Sequence, residues 1–204
     1  KENNKFGILL DVGANADCKA DVLYQFGILG SLYAKHLFKI QSPKVGLLNI
    51  GEEKTKGNFI TQSCYVMMDQ NNDYNFIGNI EGTSLFEENA DVIVCDGFIG
   101  NILLKFTHGV GIALSKFLEK RLDGLITTDK INELTQEILE INNAARRIGG
   151  PLFGVNHPVI VGHGSSNATG ISGAISTAIR VVDLKLIDSM KKAMSKLHSD
   201  EKTT

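Results

Sequence analysis

The sequence has little net charge and no long uninterrupted apolar run. Its 204 residues include 21 basic and 23 acidic side chains, for a formal net charge of −2. This balance gives no reason to expect a nucleic-acid partner. No apolar run reaches the roughly 18 residues that span a bilayer, and no signal peptide is visible. With 43% hydrophobic and 22% charged residues, the sequence predicts a soluble, cytoplasmic, globular protein.

Cysteine and histidine are also scarce, and neither has the spacing of a disulfide or metal site. The three cysteines, Cys18, Cys64 and Cys95, are an odd number in apolar runs, which predicts buried, reduced thiols. The five histidines lack metal-ligand spacing. Neither G-x-G-x-x-G nor a P-loop sequence occurs, so we expect no metal and no nucleotide cofactor.

An initiator methionine is missing as well. The polar residues 1–5 lead directly into Phe6–Leu10, which is typical of an interior strand. We therefore expect a single α/β domain over residues 1–204 that lacks its N-terminal part, with earlier members of the same sheet upstream.

The most informative stretch is Val92–Lys105, where a buried strand is followed by glycines and then by helical spacing. Ligands of open α/β sheets bind at such strand ends, and a helix start favours an anion. Gly97 and Gly100 allow close approach of a ligand, and Asp96 and Asn101 would face it. The alternative is an ordinary strand-to-helix turn that Asn101 caps.

Strands alternate with helices along the chain, which predicts a doubly wound, mainly parallel sheet with helices on both faces. The predicted helices flanking it include Ala20–Phe38, whose glycines indicate close packing on the sheet, and Ile60–Met68. The predicted strands are Phe6–Val12, Lys44–Ile50, Asn75–Ile80, Asp91–Cys95 and Pro158–Val161.

Polar loops follow these strands, so we expect them to meet at one edge of the sheet. Lys56 is the conspicuous cation among them and suits a small oxyanion such as phosphate. The alternatives are a solvated loop lysine at Lys56 and a structural histidine at His163. The other polar or glycine positions of these loops are Asp11, Asn15, Asp96, Gly97, Gly100, Asn101, His163, Gly164, Ser165 and Ser166.

A helical hairpin is predicted over residues 103–148. Each arm carries an apolar row at heptad-like spacing that we expect to form the hairpin seam, and the first arm adds a second row from Leu114 to Leu122. The seam runs from Leu103 to Phe117 on the first arm and through Ile131, Leu134, Ile138, Ile141, Ala145 and Ile148 on the second. Two rows exceed what a hairpin buries on itself, so we expect a homodimer through a four-helix bundle. Leu125 and Ile126 at the tip indicate either a local staple onto the helices or a shallow membrane or partner contact.

The chain closes with a predicted helix over Gly170–Lys196, whose packing face includes Ile171, Ile175, Ile179 and Val182. The preceding glycine turn, residues 162–167, differs from the G-x-S-x-G nucleophile elbow, because its serines lie outside the pair of glycines. A Ser-His-Asp hydrolase is therefore only weakly supported.

Five segments stand out along the sequence: LLDVGAN at Leu9–Asn15, VGLLNIGEEKTKGN at Val45–Asn58, NFIGNIEG at Asn75–Gly82, DVIVCDGFIGNILLK at Asp91–Lys105 and PVIVGHGSSNA at Pro158–Ala168. Together they resemble the PlsX family of acyl-[acyl-carrier-protein]:phosphate acyltransferases of bacterial phospholipid synthesis. They follow the family's order, although its opening VDAMGGD-like and AGNTGA-like segments have no counterpart here.

The resemblance implies that inorganic phosphate attacks the thioester of an acyl carrier protein and releases an acyl phosphate. It also implies a homodimer, loose membrane association through the hairpin, and a fold related to isopropylmalate dehydrogenases and phosphotransacetylases. The family's proposed catalytic lysine and asparagine fall on Lys56 and Asn101. The sequence departs from the family pattern at Ile148, where a tyrosine is expected, and over Gly149–Gly154, which is one residue short.

Three other functions fit parts of this pattern. A phosphotransacetylase or phosphotransbutyrylase would use the same loops with acyl-coenzyme A, but would not need the apolar hairpin tip. A non-catalytic scaffold would dock at a membrane through Leu125 and Ile126 without turnover. A metal- and NAD-dependent decarboxylating dehydrogenase shares the related fold, but its cofactor sequence is not found.

Overall fold

The computed structural model describes residues 7–87, 89–142, 148–164 and 166–201. The chain divides into two compact units. The first comprises Lys1–Asn101, Phe153–His157 and Arg180–Thr204, and the second comprises Ile102–Leu152 and Pro158–Ile179. The helices are α1 (Ala20–Leu37), α2 (Phe59–Asp69), α3 (Gly97–Leu122), α4 (Thr128–Asn142), α5 (Ala168–Asp183) and α6 (Leu186–Glu201). The strands are β1 (Ile8–Leu10), β2 (Lys44–Asn49), β3 (Asn75–Glu81), β4 (Val92–Val94), β5 (Gly150–Pro151) and β6 (Ile160–Val161).

The first unit is built on a parallel sheet of four strands in the order β1-β4-β2-β3. The central strand β4 is fully buried, as its Val-Ile-Val sequence predicts for a strand covered on both faces. Val94 is in register with both Leu10 of β1 and Leu47 of β2, so β1 and β4 end at one level, whereas β2 continues to Asn49. The predicted doubly wound parallel α/β fold is confirmed.

Alternating side chains of the strands form two apolar layers. On one face α1 and α2 pack against the sheet and against each other. A β-carbon on Gly30 of α1 would lie 2.5 Å from Val92 Cγ1, which confirms the predicted close approach of this helix. The main core on this face contains Leu23, Phe26, Ala34, Val45, Leu47, Cys64, Met68, Val92 and Val94, and the smaller core on the other face contains Ile80, Ala90 and Ile93.

The second unit contains the predicted hairpin, formed by α3 from Ile102 onward and by α4. The buried positions of α3 here are Gly111 and Ser115, and the Ser115 hydroxyl donates to the Thr135 carbonyl at 3.4 Å. The first-arm row from Leu103 to Phe117 was predicted to form the hairpin seam. This prediction is wrong, because Phe106 is 67% exposed and Phe117 is 55% exposed. Small residues at the seam let the two helices approach closely. A search for large apolar side chains at heptad spacing does not identify such residues.

On the second arm the prediction is correct at Ile131, which is buried beside Thr135. The side chain of Ile141 and residue Ala145, which were predicted to continue this seam, lie outside the described residues. Leu125, at the tip, is 74% exposed, and Ile126 is 39% exposed.

Helix α3 also has the length and composition of a membrane-crossing helix. Its apolar window has a mean hydropathy of 1.3 and is 17% buried, although charged residues interrupt every long apolar run.

Two predictions for the C-terminal third are wrong. The single helix over Gly170–Lys196 is two helices, because Lys185 adopts a left-handed conformation (φ 49°) and its N–H bonds the carbonyl of Val182. The predicted packing face of the first of them is more than half exposed at Ile171, Ile175, Ile179 and Val182. Thr177 and Val181 are buried instead.

The last predicted strand is the second error. Ile160–Val161 does not join the parallel sheet but pairs antiparallel with Gly150–Pro151. A bond from Leu152 N–H to the Val159 carbonyl, 2.8 Å long, continues this short ladder. The strand that leads into the glycine turn therefore belongs to a separate two-stranded antiparallel ladder rather than to the parallel sheet.

Candidate active site

Three polar loops of the first unit meet at the carboxyl edge of its sheet. The loop after β4 lies between those after β1 and β2, because β4 is the strand between β1 and β2. Candidate residues Asp11, Asn15, Asp96 and Asn101 belong to the first two loops and the start of α3, and Lys56 to the third. This is the edge at which open α/β sheets bind ligands.

The Asp11 carboxylate is used by its own loop. It is buried and accepts bonds from the N–H groups of Ala14 (3.0 Å) and Asn15 (2.7 Å) and from the Asn15 side-chain amide (3.1 Å). A carboxylate with three such donors needs no further cation. Asp11 therefore shapes the loop from beneath.

The loop after β4 is shorter than predicted. Helix α3 begins at Gly97, directly after Asp96, and the Asp96 side chain accepts from Ile99 N–H at 2.8 Å. Asp96 is therefore the cap, and the alternative in which Asn101 caps the helix is wrong. The Gly97 N–H donates to the Asn15 carbonyl at 2.8 Å. Two of the first three N–H groups of α3, those of Gly97 and Ile99, thus form hydrogen bonds within the protein and are not available to bind an anion.

Asn101 lies one turn into α3 and points its side chain at the loop after β1. A β-carbon on Gly13 would lie 3.5 Å from both Cβ and Cγ of Asn101. Within the described part of the chain, the Asn101 amide forms no hydrogen bond. An amide held by packing alone keeps its donor and its acceptor for a ligand.

Side-chain amides from β2, β3 and α2 bind the backbone carbonyls of the loop between β2 and α2 and hold it in place. Asn49 donates to the Lys56 carbonyl (3.1 Å), and Asn79 donates to the Glu53 carbonyl (2.9 Å). Gln62 donates to the carbonyls of Thr55 (2.7 Å) and Gly57 (3.1 Å). None of these three residues is among the candidates predicted from the sequence, although an asparagine inside an otherwise apolar strand, as in VGLLNI and NFIGNI, indicates a buried polar contact.

The two lysines of this loop differ in their surroundings. Lys54 binds Asp69 at 3.0 Å and lies 5.5 Å from the centre of the Tyr65 ring. Lys56 has one ion pair, to Glu53 at 3.8 Å, and its side chain is 46% exposed. A β-carbon on Gly51 would lie 2.7 Å from Lys56 Cγ, so the stem of this lysine rests on Gly51. Lys56 is the more available of the two cations.

The predicted residues of the last glycine turn belong to the second unit. The turn is closed by a bond from Ser166 N–H to the His163 carbonyl, 2.9 Å long, and Asn167 caps α5 through Gly170 N–H at 3.0 Å. Gly164 is described and exposed, whereas Ser165 lies outside the described residues. A role for His163, Gly164, Ser165 and Ser166 in the phosphate or thioester pocket stays a prediction.

The described residues contain no group of three or more potential metal ligands. The cysteines nearest the candidate site are buried thiols. Burial raises the pKa of Cys95 to about 12, and burial also raises the pKa of Cys18. A protonated thiol is a poor nucleophile, so neither is suited to covalent catalysis.

These features define a parallel α/β protein with polar loops gathered at the carboxyl edge of its sheet. The chain belongs to the PlsX family, since the family model described as "Fatty acid synthesis protein" matches residues 1–189. Relatives named phosphate acyltransferase include those of Dictyoglomus thermophilum, 39% identical over 196 residues (93% of this chain and 58% of the relative), and Desulfitobacterium hafniense, 42% identical over 196 residues (92% and 57%). Another, from Campylobacter fetus subsp. fetus, is 40% identical over 187 residues (88% and 55%). The chain thus spans somewhat more than half the length of these relatives.

Proposed function

We propose that this chain provides the catalytic edge of a phosphate acyltransferase that makes acyl phosphate from long-chain acyl-[acyl-carrier-protein] and inorganic phosphate. One observation carries the proposal: Lys56, with an available ammonium group, follows β2, and Asn101, whose amide forms no hydrogen bond among the described residues, follows the adjacent strand β4 at the same sheet edge. The names of the relatives point to the same chemistry. The product would serve phospholipid synthesis.

The reaction needs a positioned nucleophile and a stabilised oxyanion. A phosphate oxygen attacks the thioester carbonyl and forms the new C–O bond. The C–S bond then breaks, and the carrier protein's thiolate leaves and takes up a proton from water. Phosphate is anionic at neutral pH, so Lys56 would hold and orient it rather than deprotonate it. Asn101 would donate its N–H to the carbonyl oxygen as charge develops there.

The remaining candidate residues would have supporting roles. Gly97 and Gly100 bring α3 close to the Asp11–Asn15 loop, and Asp96 fixes the start of the helix that carries Asn101. The chemistry calls for no metal, redox cofactor or acyl-enzyme, because the thioester is already activated.

We propose that the protein is cytoplasmic and that it acts as a homodimer with peripheral membrane contact. The exposed row on α3 from Phe106 to Phe117 supports pairing with a second hairpin. The exposed Leu125 and Ile126 at the tip support a shallow lipid contact.

The test is phosphate-dependent turnover of the intact protein with long-chain acyl-carrier protein. Lys56→Ala is expected to lower kcat/KM by about 10²-fold or more, since the anion loses its cation in the site. Lys54→Ala is the matched control, because Lys54 already binds Asp69, and it is expected to stay within about threefold of wild type. Turnover with acyl-coenzyme A but not with carrier protein would identify a phosphotransacetylase. Vesicle binding without any turnover would identify a scaffold.

A further inference from the structure

The turn that carries Lys56 has its carbonyl groups directed inward. Those of Glu53, Thr55, Lys56 and Gly57 each accept a bond from the side-chain amide of Asn49, Asn79 or Gln62. The donors come from β2, β3 and α2, which are rigid elements of the fold. The side-chain amides of three residues that lie outside the turn therefore fix its backbone conformation.

Asn49 and Asn79 are themselves locked together. Asn49 Nδ2 donates to Asn79 Oδ1 at 3.1 Å, and Asn49 Oδ1 accepts from Ile50 N–H at 2.9 Å. Asn79 is buried and in the adjacent strand. Both ends of both amides are thus engaged, which fixes their orientation.

A turn with its carbonyls bound inward leaves its N–H groups for an anion. Among the described residues, the N–H groups of Glu52, Lys54 and Thr55 have no acceptor. Lys56, whose stem rests on Gly51, extends from the same turn. Free N–H groups and one ammonium group are the donors that a tetrahedral oxyanion requires.

We propose that Asn49 and Asn79 are positioning residues that hold the Lys56 turn in the form that binds inorganic phosphate. This inference rests on the proposed function and goes beyond it, because it assigns phosphate affinity to two strand residues that do not touch the substrate. It predicts a defect specific to phosphate, with binding of the acyl thioester unchanged.

The experiment compares Asn49→Ala with Asn71→Ala in the intact protein. Asn71 is a matched control in the same unit: it also clamps a turn with three hydrogen bonds, to Met68, Asp73 and Tyr74, but it precedes β3 and so lies at the opposite edge. Both variants lose a similar number of bonds. Asn49→Ala and Asn79→Ala are expected to raise KM for phosphate about tenfold, with KM for the acyl thioester unchanged, whereas Asn71→Ala leaves both KM values unchanged.

Gln62→Ala covers the case in which Asn49 or the buried Asn79 is needed for folding. Gln62 is exposed, so its loss frees the carbonyls of Thr55 and Gly57 with little effect on the core. We expect KM for phosphate to rise about threefold.

Titration of inorganic phosphate by calorimetry tests the positioning role separately from turnover. Weaker phosphate binding in Asn49→Ala and Gln62→Ala than in wild type and Asn71→Ala would support the role even if the proposed reaction failed. Equal phosphate binding in all four proteins, or no phosphate binding by wild type, would overturn it.

Discussion

The carbonyl oxygen of Asp11 lies against the α-carbon of Gly100 so closely that a β-carbon at this position would overlap it. Gly97 is nearly as restricted, since its β-carbon would lie 2.7 Å from the Asn15 carbonyl oxygen. The first turn of α3 therefore sits directly on the loop after β1. This contact sets the position of Asn101, the next residue after Gly100.

Gly100→Ala is expected to push α3 away from this loop. Overpacking against a backbone atom costs about 1–3 kcal/mol of unfolding free energy, and the shift of Asn101 should lower kcat about 10²-fold. Gly109→Ala in the same helix is the control, because no atom lies within 4 Å of the added carbon. It should raise stability by up to about 1 kcal/mol through helix propensity. Urea unfolding and turnover measure both variants, and equal behaviour of the two would refute the packing argument.

Asn101→Ala should separate activity from stability. Its amide forms no hydrogen bond among the described residues, so we expect the unfolding free energy to change by less than about 0.5 kcal/mol. Loss of an oxyanion donor should lower kcat about 10²–10³-fold. A large loss of stability with unchanged kcat would show instead that Asn101 is structural.

Stability is expected to fall at alkaline pH. Burial raises the pKa of Cys64 and of Cys95 from the ordinary value of 9.0 to about 12, and burial also raises the pKa values of Tyr24 and Tyr74. These groups stay protonated in the fold, whereas the unfolded chain loses their protons from about pH 9 upward. Stability is thus fully present below pH 9 and is lost as the pH rises towards 12.

Urea unfolding at pH 8 and pH 10.5 measures this loss, which should be at least about 1 kcal/mol. Cys64→Ala is less stable at pH 8 but should show a shallower fall, because one titrating thiol is gone. An unchanged slope would mean that the thiol is not protected in the fold.

The hairpin tip should bind lipid through its apolar side chains. Leu125→Glu removes the most exposed of them and is expected to reduce co-sedimentation with anionic phospholipid vesicles about tenfold. Thr128→Glu adds the same charge at the first residue of α4, where the helix dipole favours it, without removing apolar surface. If both variants lose binding equally, charge rather than apolar contact governs it.

The exposed row of α3 should be the dimer interface. Phe106→Glu places a charge at the most exposed side chain of this row and is expected to shift the protein from dimer to monomer in sedimentation equilibrium, because a charge is costly to bury in an apolar interface. Lys105→Glu changes charge at the neighbouring position outside the apolar row and should leave the dimer intact. A wild-type monomer at micromolar concentration would exclude this interface.

The elements that the sequence predicted well are those with strong local patterns. The apolar runs of β2 and β4 and the polar loops after the strands can be read from residues within a few positions of one another. The break in the C-terminal helix at Lys185 was not predicted, because no local feature of Gly170–Lys196 indicates it and lysine rarely adopts a positive φ. The hairpin seam was missed because it runs through Gly111 and Ser115 rather than through large apolar side chains.

The sequence by itself determined the family, the parallel α/β class and the segments after β2 and β4 in which Lys56 and Asn101 lie, because apolar periodicity and short loop segments are local properties. Only the tertiary structure decided which polar side chains form hydrogen bonds within the fold and which remain available to a ligand. Asp11 is satisfied by its own loop, whereas Asn79 reaches Glu53 across 26 positions of sequence. Contacts of that kind depend on strand order and on close backbone approach at glycines such as Gly100. Neither can be predicted from the spacing of residues along the chain.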